Sequence, residues 1–348
     1  MGIIIALIVF GFLVFFHELG HFLLAKKNGI AVTEFSIGMG PRLFSFKKGE
    51  TRYSLKVFPF GGSCQMLGED GESTEEDAFN NRSVWARISV VAAGPIFNFI
   101  LAFLLALVVI GYAGYDKPVI IGVMEGFPAE EAGLAEGDVI TKINNKKVTI
   151  YRDVQFYMAI NTGKPVDITV NRNGEPHTFH IVPKQDENGA YYMGIYSSAI
   201  RTKAKGLEVL KYSLYEVQYQ MGVVVKSIGM LFNGSVTVND LSGPVGIVDM
   251  VDEVVEESTS ADVDVKTNII SILLNILNFS IMLSANLGVM NLLPIPALDG
   301  GRLVFLVIEA VRGKPVDREK EGMVHFVGLM LLMVLMVYVM FNDIRRIF

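Results

Sequence analysis

Four stretches of the chain run almost without charge: about Gly2 to Ala25, Ile88 to Ala113, Asn268 to Leu293 and Gly322 to Phe341. Each is at least as long as the ~20 residues an α-helix needs to cross a bilayer, so the pattern predicts four transmembrane helices. Between them the periodicity changes. Residues 31–66 alternate in short runs with Gly-rich breaks, Thr33-Glu34-Phe35-Ser36-Ile37 and then Arg52-Tyr53-Ser54-Leu55-Lys56-Val57-Phe58, which reads as β-hairpin structure. The apolar residues of this hairpin place it on or dipping into the membrane. Non-helical backbone is tolerated there only under protein cover or against a wet cavity.

Residues 117–184 read as a compact α+β unit. Val119-Ile120-Ile121-Gly122-Val123 and Asp167-Ile168-Thr169-Val170 have strand character. Ala129 to Leu134 is a short helix closing on Gly133. Asn173-Gly174 is a hairpin turn between Ile168–Arg172 and Thr178–Val182. Further on, Leu207, Leu210, Leu214, Val217, Met221, Val224, Ile228 and Leu231 recur at helical spacing. That helix either packs on its own domain or lies on the outer membrane face. The acidic 249–264 stretch is expected to be a solvated linker without a site. The expected segments are a first span over 1–25, a hairpin loop over 26–87, a second span over 88–113 and an α+β domain over 114–198. An amphipathic helix and linker follow over 199–267, then a third span over 268–297, a loop over 298–321 and a fourth span over 322–343.

Charge gives these spans a direction. Lys26, Lys27, Arg42, Lys47, Lys48, Arg52 and Lys56 follow the first span, and Arg302, Arg312, Lys314, Arg318 and Lys320 follow the third. The positive-inside rule puts both loops in the cytoplasm, and the N-terminus, the 114–267 segment and the C-terminus outside. Arg345 and Arg346 run against the rule but are outnumbered. The first apolar segment lacks a basic leader and a small-residue cleavage site, so it reads as a retained span. With 51% hydrophobic residues the chain fits a multi-pass α-helical membrane protein, and its net charge of −6 argues against a nucleic-acid partner. Its one cysteine, Cys64, excludes an internal disulfide and a Cys-rich zinc site.

The chemistry lies inside the first span, as His17-Glu18-Leu19-Gly20-His21. Residues four apart share a helix face, so both histidines can grip one metal ion, and Glu18 is placed to take a proton from a water on that metal. Polar side chains in hydrocarbon are costly and usually functional. A catalytic zinc site takes three protein ligands and one open position, so a third ligand has to arrive at the same depth. His17 lies about seven residues, roughly 10 Å, from the cytoplasmic end of its span. The third span also runs from outside to inside and ends in Asn291-Leu292-Leu293-Pro294-Ile295-Pro296-Ala297-Leu298-Asp299-Gly300-Gly301. Prolines stop the helix there, and topology brings Asp299 to the leaflet that holds the histidines. Other readings stay open. Asp299 can instead cap a helix over 302–311, Asn291 can serve as an interhelical hydrogen-bonding residue, Gly94-Pro95 can be an early-helix kink, and His325 can compete as a ligand. His177 and His180 read as ordinary strand residues.

At these positions the chain resembles the bacterial site-2 proteases, the RseP/RasP-type intramembrane zinc metalloproteases. The resemblance rests on His17 to His21, Asn291 to Gly301, Gly94-Pro95-Ile96-Phe97-Asn98 and Leu241-Ser242-Gly243-Pro244-Val245-Gly246, and on four spans with a PDZ-like domain between the second and third. The PDZ likeness is carried by Phe127 to Asn144, and a single such domain is present, as in the Gram-positive branch. The resemblance implies Zn²⁺ held by His17, His21 and Asp299, Glu18 as general base, and Asn291 and Asn98 positioning the substrate backbone. A peptide would add to the edge near Val119, Ile120 and Ile121. The implied substrates are single-span membrane proteins already trimmed outside, such as anti-sigma factors and remnant signal peptides, cut in the bacterial plasma membrane. The active site would then face the cytoplasm and the PDZ-like domain the exterior. Two other classes compete: a non-proteolytic scaffold displaying the PDZ-like domain, and a metal transporter, which would need polar residues in both halves of the bilayer.

Overall fold

The computed structural model describes residues 2–69, 71, 73–185, 189, 191–197, 201–237, 239, 241–258 and 264–347. In chain order the elements are α1 (Gly2–Lys27), β1 (Val32–Lys48), β2 (Thr51–Met66), α2 (Val84–Ala113), β3 (Ile120–Val123), α3 (Pro128–Glu131), β4 (Val139–Ile143), β5 (Lys146–Lys147), α4 (Tyr151–Ile160), β6 (Val166–Arg172), β7 (Glu175–Ile181), β8 (Lys184–Gln185), β9 (Tyr191–Tyr192), β10 (Ile195–Ser197), α5 (Leu207–Phe232), α6 (Pro244–Glu257), α7 (Val265–Leu292), α8 (Asp299–Arg312) and α9 (Arg318–Ile347). The chain divides into two compact units, one of Met1–Ala106 with Glu216–Phe348 and one of Leu107–Tyr215.

Among the described residues α1, α2, α7 and α9 are long and apolar enough to cross a membrane. Large aliphatic side chains such as Ile4, Ile8, Ile96, Leu104, Leu331 and Val334 are exposed on these helices, as a lipid-facing surface requires. α1 stops because Gly29 takes φ +68° and Ile30 N–H bonds back to the Ala25 carbonyl at 2.9 Å, the left-handed helix ending that glycine favours. Deep in the bundle Val9 and Leu13 of α1 pack on Leu101 of α2, with Ile276 and Leu283 of α7 against them. α1 and α2 approach closely at Gly20, where an added β-carbon would lie 2.5 Å from the Ala93 carbonyl oxygen. Small residues allow such backbone contact between membrane helices.

β1 and β2 form one antiparallel, strongly bulged sheet. β2 folds around β1, so that Glu34 to Ile37 pair with Arg52 to Leu55 on one side and with Gly62 to Gln65 on the other. The 62–66 end of β2 is therefore an outer strand. Glu34 keys the bend: it is buried, accepts from Arg42 Nε at 2.7 Å and from Ser54 Oγ at 2.5 Å, and the Arg42 guanidinium draws its carboxyl down to about 2. The far end of the hairpin exposes Met39, Leu43, Phe44, Phe46, Val57 and Phe58. Below the helices Ala25, Ile30, Val32, Phe35, Val90 and Leu306 close a second core that ties the sheet to α1, α2 and α8.

The acidic 249–264 stretch departs from expectation. It is helical to Glu257, and residues 259–263 lie outside those described. Val248, Val251 and Val255 recur at helical spacing beneath the acids, and Val251 is buried. Asp252 accepts the Gly2 N–H at 2.7 Å, so an acid expected to be merely solvated instead caps the start of α1. The Leu241–Gly246 turn is held from α9, where buried Asp343 accepts the Gly243 and Gly246 N–H groups, each at 2.9 Å. In α5 the apolar stripe splits, with Val217 and Val224 buried and Leu207, Leu210 and Leu214 exposed.

The second unit has a four-stranded sheet in the order β5-β4-β6-β7 and a separate pair of β10 and β3. Its core is built from Ile120, Ile140, Ile143, Val154, Val166 and Ile168. Asn173 (φ 55°) and Gly174 (φ 94°) make the two-residue turn between β6 and β7, the mirror-image turn that suits strand twist. His177 and His180 sit on β7, with His180 Nδ1 2.7 Å from Asp167 Oδ1 at the surface.

Candidate metal centre

α1 presents His17 and His21 one turn apart, both buried. Asp299 comes from the start of α8. Pro294 and Pro296 end α7 and carry the chain through a short turning loop. α8 can then start close against that loop because Gly300 and Gly301 have no side chains. A β-carbon on Gly300 would lie 2.0 Å from the Leu293 carbonyl oxygen, and one on Gly301 2.5 Å from that of Ile295. Leu298 is the N-cap and makes no side-chain capping bond, so Asp299 is not spent on capping. Its Oδ2 points at the histidines.

The ligand geometry is compact. The two Nε2 atoms are 3.2 Å apart, and Asp299 Oδ2 is 3.1 Å from that of His17 and 3.5 Å from that of His21. Tetrahedral zinc with bonds of about 2.0–2.1 Å sets its ligand atoms about 3.3 Å apart. Asp299 Oδ2 is buried and accepts no hydrogen bond from the described residues. Three electron-pair donors converging at this spacing are suited to a cation, and the set fits Zn²⁺.

Each imidazole is held from behind. His21 Nδ1 is 2.9 Å from the Val90 carbonyl oxygen, which accepts only from a protonated Nδ1 and so leaves the Nε2 lone pair free. His17 Nδ1 is 3.1 Å from the Asn98 amide nitrogen, while Asn98 Oδ1 is buried without a partner among the described residues. Turning that amide end for end sets Oδ1 to accept from His17 Nδ1–H, the same arrangement as at His21. Ser284 of α7 donates to the Asn98 carbonyl at 2.8 Å and fixes the residue. Gly94, one turn before Asn98, leaves space for both rings: a β-carbon there would lie 2.3 Å from His21 Nε2 and 2.7 Å from His17 Cε1.

A cavity of about 620 Å³ opens on the centre, lined by His17, Glu18, His21, Asp299, Arg302 and the 62–69 end of the hairpin, including Cys64. Glu18 faces this space. Gly62 lets β2 pass close by, since its β-carbon would meet Glu18 Cγ at 3.0 Å. Arg302 pairs with Glu69 across the wall. Sequence reasoning missed Val90, Glu69 and Arg302. Arg302 is three residues from Asp299, a signal that was visible, whereas nothing local marks Val90.

Several expectations need correction. Asn98 is fully buried and turned to His17, so it holds that imidazole and is not exposed to a substrate. The expectation for Asn291 is not overturned: it is half-buried near the end of α7, and its side chain makes no hydrogen bond to the described residues. Gly94-Pro95 lies well inside α2, which runs unbroken from Val84 to Ala113. His325 stays out of the ligand set; its Nδ1 accepts the Ala297 N–H at 2.8 Å. Val119, Ile120 and Ile121 do not form a free edge. β10 pairs with β3 on one side, and on the other Ile120 donates to the Asp138 carbonyl and accepts from Gly137 N–H.

Comparison with known proteins agrees with this chemistry. The model of peptidase family M50 matches residues 5–335. The chain is 35% identical to the regulator of sigma-W protease RasP of Bacillus subtilis, over 99% of each chain. It is also 35% identical to the zinc metalloprotease RasP of Bacillus licheniformis, over the whole of both. Among solved structures, the PDZ domain of an SdrC-like protein from Listeria monocytogenes is similar over 24% of this chain and 88% of its own, at 24% identity and a TM-score of 0.22. With bilayer-length helices around a His-Glu-x-x-His centre, the chain belongs to peptidase family M50, as an intramembrane zinc metalloendopeptidase of the site-2 type.

Proposed function

We propose that His17, His21 and Asp299 are the zinc ligands and that Glu18 is the general base. The reading is carried by one observation: three ligand atoms within 3.1–3.5 Å of one another, the carboxylate oxygen among them buried and otherwise unpartnered among the described residues. Zinc, when bound, supplies a Lewis acid for the scissile carbonyl and brings water's pKa towards neutrality. Glu18 then takes the proton of the attacking water and passes it to the leaving amine. Val90 and Asn98 keep both imidazoles pointed inward throughout.

A transmembrane substrate hides its amides in helical hydrogen bonds, so it must unwind before it can be cut. The outer strand at 62–66 flanks the cavity beside Glu18 and offers its unpaired side to the unwound segment, which adds as a further strand. Asn291 is proposed to steady the same backbone. The substrates proposed are single-span proteins trimmed by an earlier protease, anti-sigma factors and remnant signal peptides among them; the RasP relative of Bacillus subtilis is named a regulator of sigma-W protease. The enzyme is placed in the bacterial plasma membrane with the metal centre towards the cytoplasm. The Leu107–Tyr215 unit is placed outside as a PDZ-like filter. Deleting 117–184 should leave cleavage of a pretrimmed substrate within a few-fold of the parent and admit longer ectodomains. Abolished cleavage of the pretrimmed substrate would remove the filter role.

The ligand set is tested by Asp299→Ala. Zinc per chain in the purified protein is expected to fall well below one, and co-expressed single-span candidates should stay intact. Unchanged zinc stoichiometry would take Asp299 out of the set.

A further inference from the structure

The loop that delivers Asp299 is gripped from the fourth long helix, and we infer that His325 is a positioning residue for that ligand. The inference rests on the ligand set proposed above. Ala297 stands two residues before Asp299 at φ +74°, a left-handed conformation that a residue with a β-carbon disfavours. Something has to hold it there. Its N–H donates to His325 Nδ1 at 2.8 Å. Three residues along α9, on the same face, Gly328 meets the preceding loop residue: a β-carbon on Gly328 would lie 2.4 Å from Pro296 Cβ and 2.9 Å from its carbonyl oxygen. The His325 ring also packs on Phe305 of α8, with centroids 5.6 Å apart. One short segment of α9 thus touches Pro296 and Ala297 before the ligand and Phe305 after it.

This grip decides where α8 begins. Ala297 in its left-handed turn sets Leu298 extended (φ −100°, ψ 164°), and Asp299 follows as the first helical residue. Without the acceptor on His325, Ala297 is free to relax to right-handed backbone, and the Asp299 carboxylate swings from its 3.1 Å approach to His17. His325 therefore acts through the backbone and not as a ligand. An acceptor at the position of Nδ1 is what the loop needs, and an asparagine oxygen can supply one.

The test uses the full-length protein in detergent micelles. Zinc affinity is measured by competition with a chromophoric chelator, the visible spectrum is recorded after Co²⁺ substitution, and thermal stability is followed without metal. H325L is expected to weaken zinc about tenfold, the low end of what metal-ligand supports contribute, and to alter the Co²⁺ bands. H325N should stay within about twofold of the parent with parental bands, while the metal-free proteins melt alike. H325A replaces H325L if the latter is not recovered folded. Parental zinc affinity in H325L would overturn the inference, as would equal loss in H325L and H325N, since the ring's bulk would then be what matters. A D299A control that binds zinc as tightly as the parent would fail the ligand set itself, an outcome distinct from failure of the His325 contact alone.

Discussion

Gly94→Ala is expected to empty the metal centre and abolish cleavage, although alanine is the better helix former. In a helix interior Ala is favoured over Gly by about 1 kcal/mol, so if Gly94 served only α2's own backbone the change would stabilise the protein. The structure points the other way. The new methyl would stand 2.3 Å from His21 Nε2 and 2.6 Å from its Cε1. Neither ring can step aside cheaply, because His21 is held by the Val90 carbonyl and His17 by Asn98. The methyl takes the space in front of the lone pair that has to face the cation. Zinc content measured on the purified variant should fall to background, with proteolysis of a co-expressed substrate lost in parallel. A G94A protein that holds one zinc per chain and cuts normally would show that the rings reorganise freely.

Glu18→Gln is expected to lower turnover by about 10²–10⁴-fold, the usual worth of a positioned general base, while zinc content stays at the parental level. The glutamine is nearly isosteric, fits against Gly62 and keeps the cavity wall, but it cannot take the water's proton. Glu18 faces the 620 Å³ cavity beside the ligands and is not one of the three converging donors. Zinc analysis and a cleavage assay on the same preparation separate the readings: a scaffold would be indifferent to the change, and a transporter would show no hydrolysis before or after it. Loss of zinc in E18Q would mean that Glu18 contributes to holding the metal.

Much of this centre was legible in the sequence because its pieces obey local rules. His17 and His21 are spaced for one helix face. Pro294 and Pro296 announce a helix end, and charge bias alone puts that end in the leaflet of the histidines. Asn173-Gly174 fixes its own turn. What escaped depends on approach between segments distant in the chain. Gly94 reads as a kink until α1 is laid against α2. Asn98 reads as a substrate contact until its burial is known, although its spacing from Gly94 repeats that of the two histidines. The acids of α6 masked a valine stripe that a helical count would have found. The β3 edge looked open because β10 returns to it from more than seventy residues further on.

The proposed centre takes two of its ligands from α1 and the third from the beginning of α8, far apart along the chain. Two imidazoles alone make an incomplete site, so under this ligand set the His-Glu-x-x-His helix is inert by itself. Hydrolytic competence would arise only once α8 has folded back and Asp299 has docked, which makes activity a report on completed assembly of the bundle and not on α1 alone.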